Sequence, residues 1–130
     1  MQWILLALGG ASGTLLRYSV SGLASGWHSG HFPMGTFVVN IIGSFLIGFA
    51  FGMSEQWPGK NSLKLFVFTG LLGGFTTFSA FSLECIQLIK SEQVPMAILY
   101  AGLSNMLGIA FAFAGYFGSR FMLKLNGLSA

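Results

Sequence analysis

Apolar residues fill four long stretches of the chain, and short polar segments separate them. The stretches run from about Trp3 to Leu23, from Met34 to Met53, from Leu63 to Ile89 and from Met96 to Met122. A helix needs about 20 residues to cross the hydrocarbon core of a bilayer. The pattern therefore predicts four transmembrane helices.

The connections between these stretches collect the turn-forming residues. They read ASGWHSGHFP, SEQWPGKNS and KSEQVP, and all three prolines of the chain lie in them. Proline is tolerated there because no helical hydrogen bond depends on its missing N–H. No connection has room for a soluble domain, so residues 1–130 are predicted to form a single four-helix transmembrane domain.

Composition points to the same class of protein. Hydrophobic residues make up 54% of the chain and charged residues 7%, whereas roughly 25% of an ordinary globular domain is charged. This predicts an all-α integral membrane protein, with membrane lipid as its surroundings. Six Lys and Arg residues form no basic cluster, so no nucleic-acid partner is expected.

The sequence offers no sign of an enzyme. It contains no nucleophile–base arrangement, no cofactor fingerprint and no phosphate-binding loop. His28 and His31 are spaced like a pair of metal ligands, but a metal site needs more ligands than two and none is nearby. We therefore expect neither catalysis nor a zinc site.

Basic residues are unevenly divided between the two predicted sides of the membrane. The side shared by the N-terminus, the second connection and the C-terminus would carry Lys60, Lys64, Arg120 and Lys124. The opposite side would carry Lys90 and Arg17. Positive charge favours the cytoplasmic side, but a bias this small permits insertion in both orientations.

Glycines recur at the spacing that allows close helix contact. Four GxxxG pairs are present: Gly9 and Gly13, Gly22 and Gly26, Gly48 and Gly52, and Gly70 and Gly74. In membranes, small residues let helix backbones approach closely, and packing drives their association. For most of these glycines, tight packing within the bundle is the expected role. Four helices enclose little interior, however, so this many close-approach faces also suggest partner subunits and hence an oligomer.

Polar residues inside the second and fourth spans form stripes. Asn40 has Thr36 four residues before it and Ser44 four residues after it, so all three share one helix face. Such a stripe either holds helices together by hydrogen bonds or lines a path for water or ions, and the depth of Asn40 favours the path. Tyr100 and Ser104 form a similar stripe with Gly108, beside Asn105, with the same two interpretations.

Two ionisable residues within spans have several possible roles. Arg17 lies near the end of its span, where it could snorkel to the interface or attract anions. Glu84 could carry protons, pair with Arg17 or lie near the interface, where its cost falls. Ionisable groups in spans are by default functional hypotheses.

The segment GGFTTFSAF, residues 73–81, is unusual for a lipid-facing helix. Its two glycines weaken the helix, and a break at membrane depth is tolerated only where the freed backbone is buried or lines an ion site. Carbonyls at such a break can coordinate a cation. Phe75, Phe78 and Phe81 form a row, which either packs or turns its positive ring edges towards an anion. We therefore predict that the third helix is broken near its middle.

An ordered set of motifs then becomes recognisable. The first span carries GGxxGxxxR, the second PxGTxxxNxxGxxxxG, and the third GGxTTFSxF followed by Glu84. The fourth has Asn105 and Gly108. In these features the chain resembles the Fluc (CrcB-type) fluoride channels over essentially its whole length.

The resemblance implies an antiparallel homodimer with dual topology, built from oppositely inserted copies. Two fluoride pathways would lie at the subunit interface. The protein would be a passive, fluoride-selective channel that exports fluoride across the bacterial inner membrane and so confers fluoride resistance.

The resemblance also implies roles for particular residues. The fluoride pathway would contain Asn40, Phe78, Phe81, Tyr100 and Ser104. Supporting polar groups would be Arg17, Thr36, Thr77, Ser79 and Glu84. A structural Na⁺ would be held by the backbone carbonyls of Gly73 and Thr76. The chain departs from the family at Ala80, where Thr is frequent, and at Gly108, where the family has a third serine.

Two other functions fit a small four-span chain. A proton-coupled small multidrug exporter would depend on a glutamate in its first span, but the first span here has Arg17 and no acid. A membrane scaffold without transport activity would leave Asn40 and the broken helix unexplained. A potassium-type filter is excluded because the chain has no TVGYG segment.

Overall fold

Long helices make up nearly all of the chain. The computed structural model describes residues 1–27 and 30–127, and their regular structure is entirely helical. The helices are α1 (Gln2–Ser25), α2 (Met34–Met53), α3 (residues 61–75), α4 (Phe78–Lys90) and α5 (Val94–Leu125). A 3₁₀ turn, Ser54–Gln56, follows α2. Pro33 immediately precedes α2, as its predicted place in a connection requires, whereas Pro95, also predicted to lie in a connection, is in the first turn of α5.

In the described residues, three units are both long enough and apolar enough to cross a membrane. They are Met34–Gln56, Asn61–Lys90 and Val94–Leu125. The first helix has 24 residues, which at about 1.5 Å per residue is long enough to cross the bilayer as well, but it is less apolar than the other three. It lies beside α3 along its middle, with Gly9 against Gly70.

The third helical unit is irregular in two ways. Between the α-helical turns Asn61–Lys64 and Gly73–Phe75, residues Leu65–Leu72 form π-helical hydrogen bonds. The helix then stops at Thr76 (φ −81°, ψ 157°) and Thr77 (φ −150°, ψ 115°), which are both extended. The unit is therefore broken near its middle, as predicted.

The position of the break corrects the expectation that the glycines create it. Gly73 keeps helical angles (φ −64°, ψ −35°), and Gly74 lies in the helical turn before the break. A Cβ atom at Gly74 would come within 2.7 Å of the Gly10 carbonyl oxygen, so this glycine allows α1 and α3 to touch. The threonines, not the glycines, leave the helix.

The helices pack as two parallel pairs. Along α1 and α3, Gly9 lies against Gly70 and Gly13 lies further on against Phe75. Along α2 and α5, Ser44 faces Gly108 and Gly48 faces Ala112. Helices one and three, and two and four, of a four-span bundle run in the same direction, so both pairs agree with the predicted topology.

Most of the glycine pairs are used inside the chain. Side chains at Gly13 or Gly48 would overlap the backbone of the adjoining helix, whereas Gly22 has open space around it. At Gly26 only a carbonyl of its own helix end lies near. Three of the four GxxxG pairs therefore serve packing within one chain, which removes the glycine count as an argument for an oligomer.

Candidate functional site

Asn40 holds the break in its extended conformation. Its side-chain Nδ2 donates to the Thr77 carbonyl at 3.0 Å, and its Oδ1 accepts from the Thr77 N–H at 2.9 Å. Thr77 is buried, so both backbone groups would lack a partner without this amide. The sequence placed Asn40 on a polar stripe; the structure shows that its side chain joins α2 to the break.

Thr77 also begins α4. Its hydroxyl oxygen accepts from the Ala80 N–H at 3.2 Å, as N-cap threonines do. The Ser79 hydroxyl lies 3.3 Å from the same oxygen. The predicted supporting groups Thr77 and Ser79 therefore lie together at the start of the second half-helix.

The two carbonyls proposed for sodium have lost their helical donors. In a continuous α-helix the Gly73 carbonyl would accept from the Thr77 N–H, which here donates to Asn40. The Thr76 carbonyl would accept from the Ala80 N–H, which here donates to the Thr77 hydroxyl. No group of three or more His, Cys, Asp or Glu side chains occurs in the described residues. Backbone carbonyl oxygens are among the ligands that a hard cation prefers, and one chain supplies two of them.

A groove of about 330 Å³ opens beside the break, between α2, α4 and α5. It brings together four of the predicted pathway residues: Asn40, Phe78, Phe81 and Ser104. It is also lined by Ser44, Asn105 and Gly108, which the sequence had marked as polar-stripe positions but not assigned to the pathway. None of the described residues that line it is Lys, Arg, Asp or Glu, so its polar side chains are neutral amides and hydroxyls.

The phenylalanine pair lies at the mouth of this groove. The ring centroids of Phe78 and Phe81 are 5.5 Å apart, with the rings tilted by 36°. Phe78 is 75% exposed, although it lies at the N-terminus of α4, close to the middle of the third span. Phe81 packs inward on Tyr100, with ring centroids 5.2 Å apart.

Tyr100 lies beneath the groove, not among the residues that line it. It is fully buried, and its hydroxyl donates to Glu84 Oε2 at 2.6 Å. The Thr36 hydroxyl donates to the other carboxylate oxygen at 2.6 Å. This network joins α2, α4 and α5 behind the phenylalanine pair.

Glu84 does not pair with Arg17. In the part of the chain that the structure describes, one ion pair is present, between Arg120 and Glu55 at the ends of α5 and α2. Arg17 lines a separate cavity of about 440 Å³ together with Thr36 and Thr77. Of the possible roles for Glu84, pairing with Arg17 is wrong; hydroxyl groups satisfy its carboxylate.

A further cavity lies between the Glu84 network and the first connection. A cavity of about 390 Å³ there is lined by Glu84, Gln87, Ser91 and His31, among other residues. His28, the other member of the histidine pair, lies outside the described residues. Phe81, which lines the groove, packs on Tyr100, and Tyr100 packs on Phe32, which lines this cavity.

Comparison with known proteins decides the family. The family model described as CrcB-like protein, Camphor Resistance (CrcB), matches residues 4–116. The chain belongs to the CrcB family. The match covers the broken helix, Asn40, the phenylalanine pair and the polar positions of α5.

Named CrcB-family relatives include proteins from diverse bacteria. The chain is 44% identical over 115 residues to the fluoride-specific ion channel FluC of Thermus thermophilus, covering 88% of this chain and 92% of the relative. It is 46% identical over 111 residues to the protein of that name from Flavobacterium psychrophilum, covering 85% and 90%. For the one from Parabacteroides distasonis the identity is 43% over 111 residues, covering 85% and 87%.

Proposed function

We propose that this chain is the subunit of a passive fluoride channel in the bacterial inner membrane. One observation carries the proposal: an uncharged groove with amide, hydroxyl and aromatic walls lies open beside a helix break at mid-membrane depth. CrcB family membership and the names of the bacterial relatives support fluoride as the ion. The long apolar helices support a multi-pass location.

The exposed residues on the open side of the groove favour a second copy of this chain as its cover. Asn105 and Phe78 are both exposed in the single chain, although each lies far from the ends of its membrane-length unit. An amide facing lipid is costly because lipid cannot accept a hydrogen bond from the second N–H of Asn105, whose first N–H donates to the Ala101 carbonyl. A second, oppositely inserted chain would cover this face and complete two pathways per dimer, with Phe78 projecting into the interface.

The sodium proposal follows from the same dimer. Two freed carbonyls per chain, from Gly73 and Thr76, would become four oxygens where the two breaks meet on the dimer axis. Sodium would then join the two copies structurally, without being transported. Removing sodium is therefore expected to lower the melting temperature of the dimer, with Li⁺ and K⁺ as size controls.

The aromatic walls explain how an uncharged path can accept an anion. A phenyl ring carries partial positive charge at its edge, and hydroxyl and amide groups donate hydrogen bonds. Together they can replace the water around a small anion without a fixed positive charge that would trap it. Conduction requires binding strong enough for entry and weak enough for release.

The rival proton-coupled exporter lacks a free acid. Glu84 is the one Asp or Glu that lies away from the ends of an apolar span, and Thr36 and Tyr100 both donate to it. A carboxylate that cycles protons during transport would have to break these bonds in each cycle. The passive channel needs no such step.

Fluoride efflux from liposomes tests the proposal. We expect rapid fluoride loss, negligible chloride loss and no dependence on a proton gradient. Phe78→Ile and Phe81→Ile should each slow fluoride loss sharply. Phe113→Ile is the matched control, because Phe113 is also exposed but lies outside the groove. Absence of fluoride efflux, or its loss when a pH gradient is dissipated, would exclude the channel.

Orientation and subunit number need a separate test. In a Cys85→Ser background, Lys60→Cys should react with a membrane-impermeant thiol reagent on both sides of the membrane to the same extent. Light scattering of the detergent-solubilised protein should give the mass of two chains. One-sided labelling would contradict dual topology, and a monomer that conducts fluoride would contradict the interfacial pathway.

A further inference from the structure

A row of aromatic ring contacts runs from the first connection to the phenylalanine pair. The rings that touch are, in order, Phe37, Phe32, Tyr100, Phe81 and Phe78. The ring centroids of Phe32 and Tyr100 are 5.3 Å apart, and those of Tyr100 and Phe81 are 5.2 Å apart. Both distances fall within the range of about 4.5–7 Å in which aromatic rings attract each other. Phe32 is therefore two ring contacts away from the phenylalanine pair.

Phe32 is held in place although it lies in a connection. The Met34 N–H donates to the Phe32 carbonyl at 2.8 Å, and Pro33 between them has φ −75° and ψ 72°, which are the angles of an inverse γ-turn. A residue before proline also has few backbone conformations open to it. The Phe37 ring packs on the Phe32 ring at 5.1 Å, with the planes 78° apart. The turn and this contact fix Phe32 to the start of α2.

The plane of the Tyr100 ring is not set by its hydrogen bond. The hydroxyl donates to Glu84, but its oxygen lies on the axis about which the ring rotates, so rotation of the ring leaves the oxygen where it is. The torsion that turns the ring has only a broad intrinsic preference. The side chains that pack on the buried Tyr100 ring must therefore fix its plane. Phe32 is one of them, with its plane at 81° to that of Tyr100.

The plane of Tyr100 in turn affects Phe81. The Phe81 ring is half-buried, packs on Tyr100 with a tilt of 50° and lines the groove. A phenyl ring is positive at its edge and negative on its face. The tilt of Phe81 therefore decides whether an anion in the groove meets the attractive edge or the repulsive face.

We propose that Phe32 is a positioning residue for the fluoride path, which acts through Tyr100 to keep the edge of the Phe81 ring turned towards the ion. The role rests on the proposed fluoride channel. Phe32 itself is not among the described residues that line the groove; it lines the cavity at the first connection. Its effect on the ion is therefore indirect.

Fluoride efflux from liposomes that contain Phe32→Leu tests this role, because leucine keeps the position apolar and removes the ring. The efflux rate per dimer should fall by about fivefold, which corresponds to about 1 kcal/mol, with the dimer mass unchanged. Phe32→Tyr keeps the ring and should retain the wild-type rate. Phe49→Leu is the matched control, because Phe49 is also half-buried and packs on another ring, that of Phe45, away from the groove.

A double-mutant cycle distinguishes positioning from a general structural effect. In a Phe81→Ile background no ring is left to be positioned, so Phe32→Leu should cause no further loss of efflux. In a Tyr100→Phe background the ring contact is retained, and the fivefold loss should remain. More protein per liposome brings the slow efflux of the Phe81→Ile background into the measurable range.

The outcomes separate this role from the channel itself. Wild-type efflux in Phe32→Leu would overturn the role and leave the channel intact, and so would an equal loss in the Phe81→Ile background. If Phe32→Leu does not form the dimer, Phe32→Met repeats the test with a flexible apolar side chain; loss of the dimer in both would assign Phe32 to folding and overturn the proposal. Absence of fluoride efflux from the wild type would overturn the channel and this role together.

Discussion

Replacing Asn40 with leucine removes both hydrogen bonds that hold the helix break open. The Thr77 N–H and carbonyl, now bonded at 2.9 and 3.0 Å, would remain buried without partners. A buried polar group that loses its partner costs about 1–3 kcal/mol. Two such groups give a loss of about 2–6 kcal/mol in the free energy of unfolding, which corresponds to a fall of about 10 °C or more in melting temperature.

Circular dichroism during thermal unfolding in detergent measures this loss directly. Asn105→Leu is the matched control, since Asn105 is also an asparagine far from the ends of a membrane-length unit and its hydrogen bond stays within its own helix. The two variants should therefore differ in thermal stability. Asn40→Leu should lower the melting temperature and abolish fluoride efflux, whereas Asn105→Leu should slow efflux at an unchanged melting temperature.

The comparison can refute the structural role of Asn40. If Asn40→Leu melts with the wild type but loses efflux, its amide serves the ion and not the break. If both variants melt early by similar amounts, polarity in the membrane matters for stability regardless of the hydrogen-bond partner. Either result would contradict the assignment of Asn40 as the group that fixes Thr77.

Further predictions concern packing and the carboxylate network. Gly13→Val places a side chain against the Leu71 carbonyl and should lower the free energy of unfolding by about 1–3 kcal/mol. Gly22→Val is the control, because Gly22 has open space around it and its replacement should leave the stability unchanged. Equal melting temperatures for the two variants would refute the α1–α3 contact. Tyr100→Phe removes the hydrogen bond to Glu84 and should cost about 1–3 kcal/mol. In a Glu84→Ala background the same substitution should cost less than about 0.5 kcal/mol; equal costs in both backgrounds would show that the bond contributes nothing.

Helix positions could be predicted from the sequence because they depend on local apolar content. The second helix, Met34–Met53, has the predicted bounds, and the last extends from Val94 to Leu125, a few residues beyond the predicted ends. In a bilayer an apolar stretch of this length satisfies its backbone groups by forming a helix. No knowledge of neighbouring segments is needed.

The location of the break could not be predicted in the same way. Glycine weakens a helix, so Gly73 and Gly74 were the natural expectation, yet both remain helical. Thr77 is extended because Asn40, 37 residues earlier, offers its backbone a donor and an acceptor. A hydrogen bond across that separation depends on how two helices pack, which residue spacing does not specify.

The same limit applies to the polar residues of the spans. The free-energy cost of placing polar side chains in a membrane identified Asn40, Glu84 and Asn105 as residues with a role. It did not identify the role of each. Asn40 holds the break, Glu84 accepts hydrogen bonds from two hydroxyl groups, and Asn105 lines the open groove. The three differ in helix rotation and in neighbours, although their residue types are similarly polar.

The sequence by itself determined that this is a helical membrane protein, where its spans lie, and which polar side chains need partners. Those properties follow from transfer free energies, which act residue by residue. Only the tertiary structure decided that most of the glycine pairs are used within the chain, that Tyr100 and Thr36 satisfy Glu84, and that the Ser104 hydroxyl is buried without a hydrogen-bond partner in the described residues. These depend on the distances and rotations between packed helices, because a hydrogen bond or a backbone contact exists only when both partners are in place.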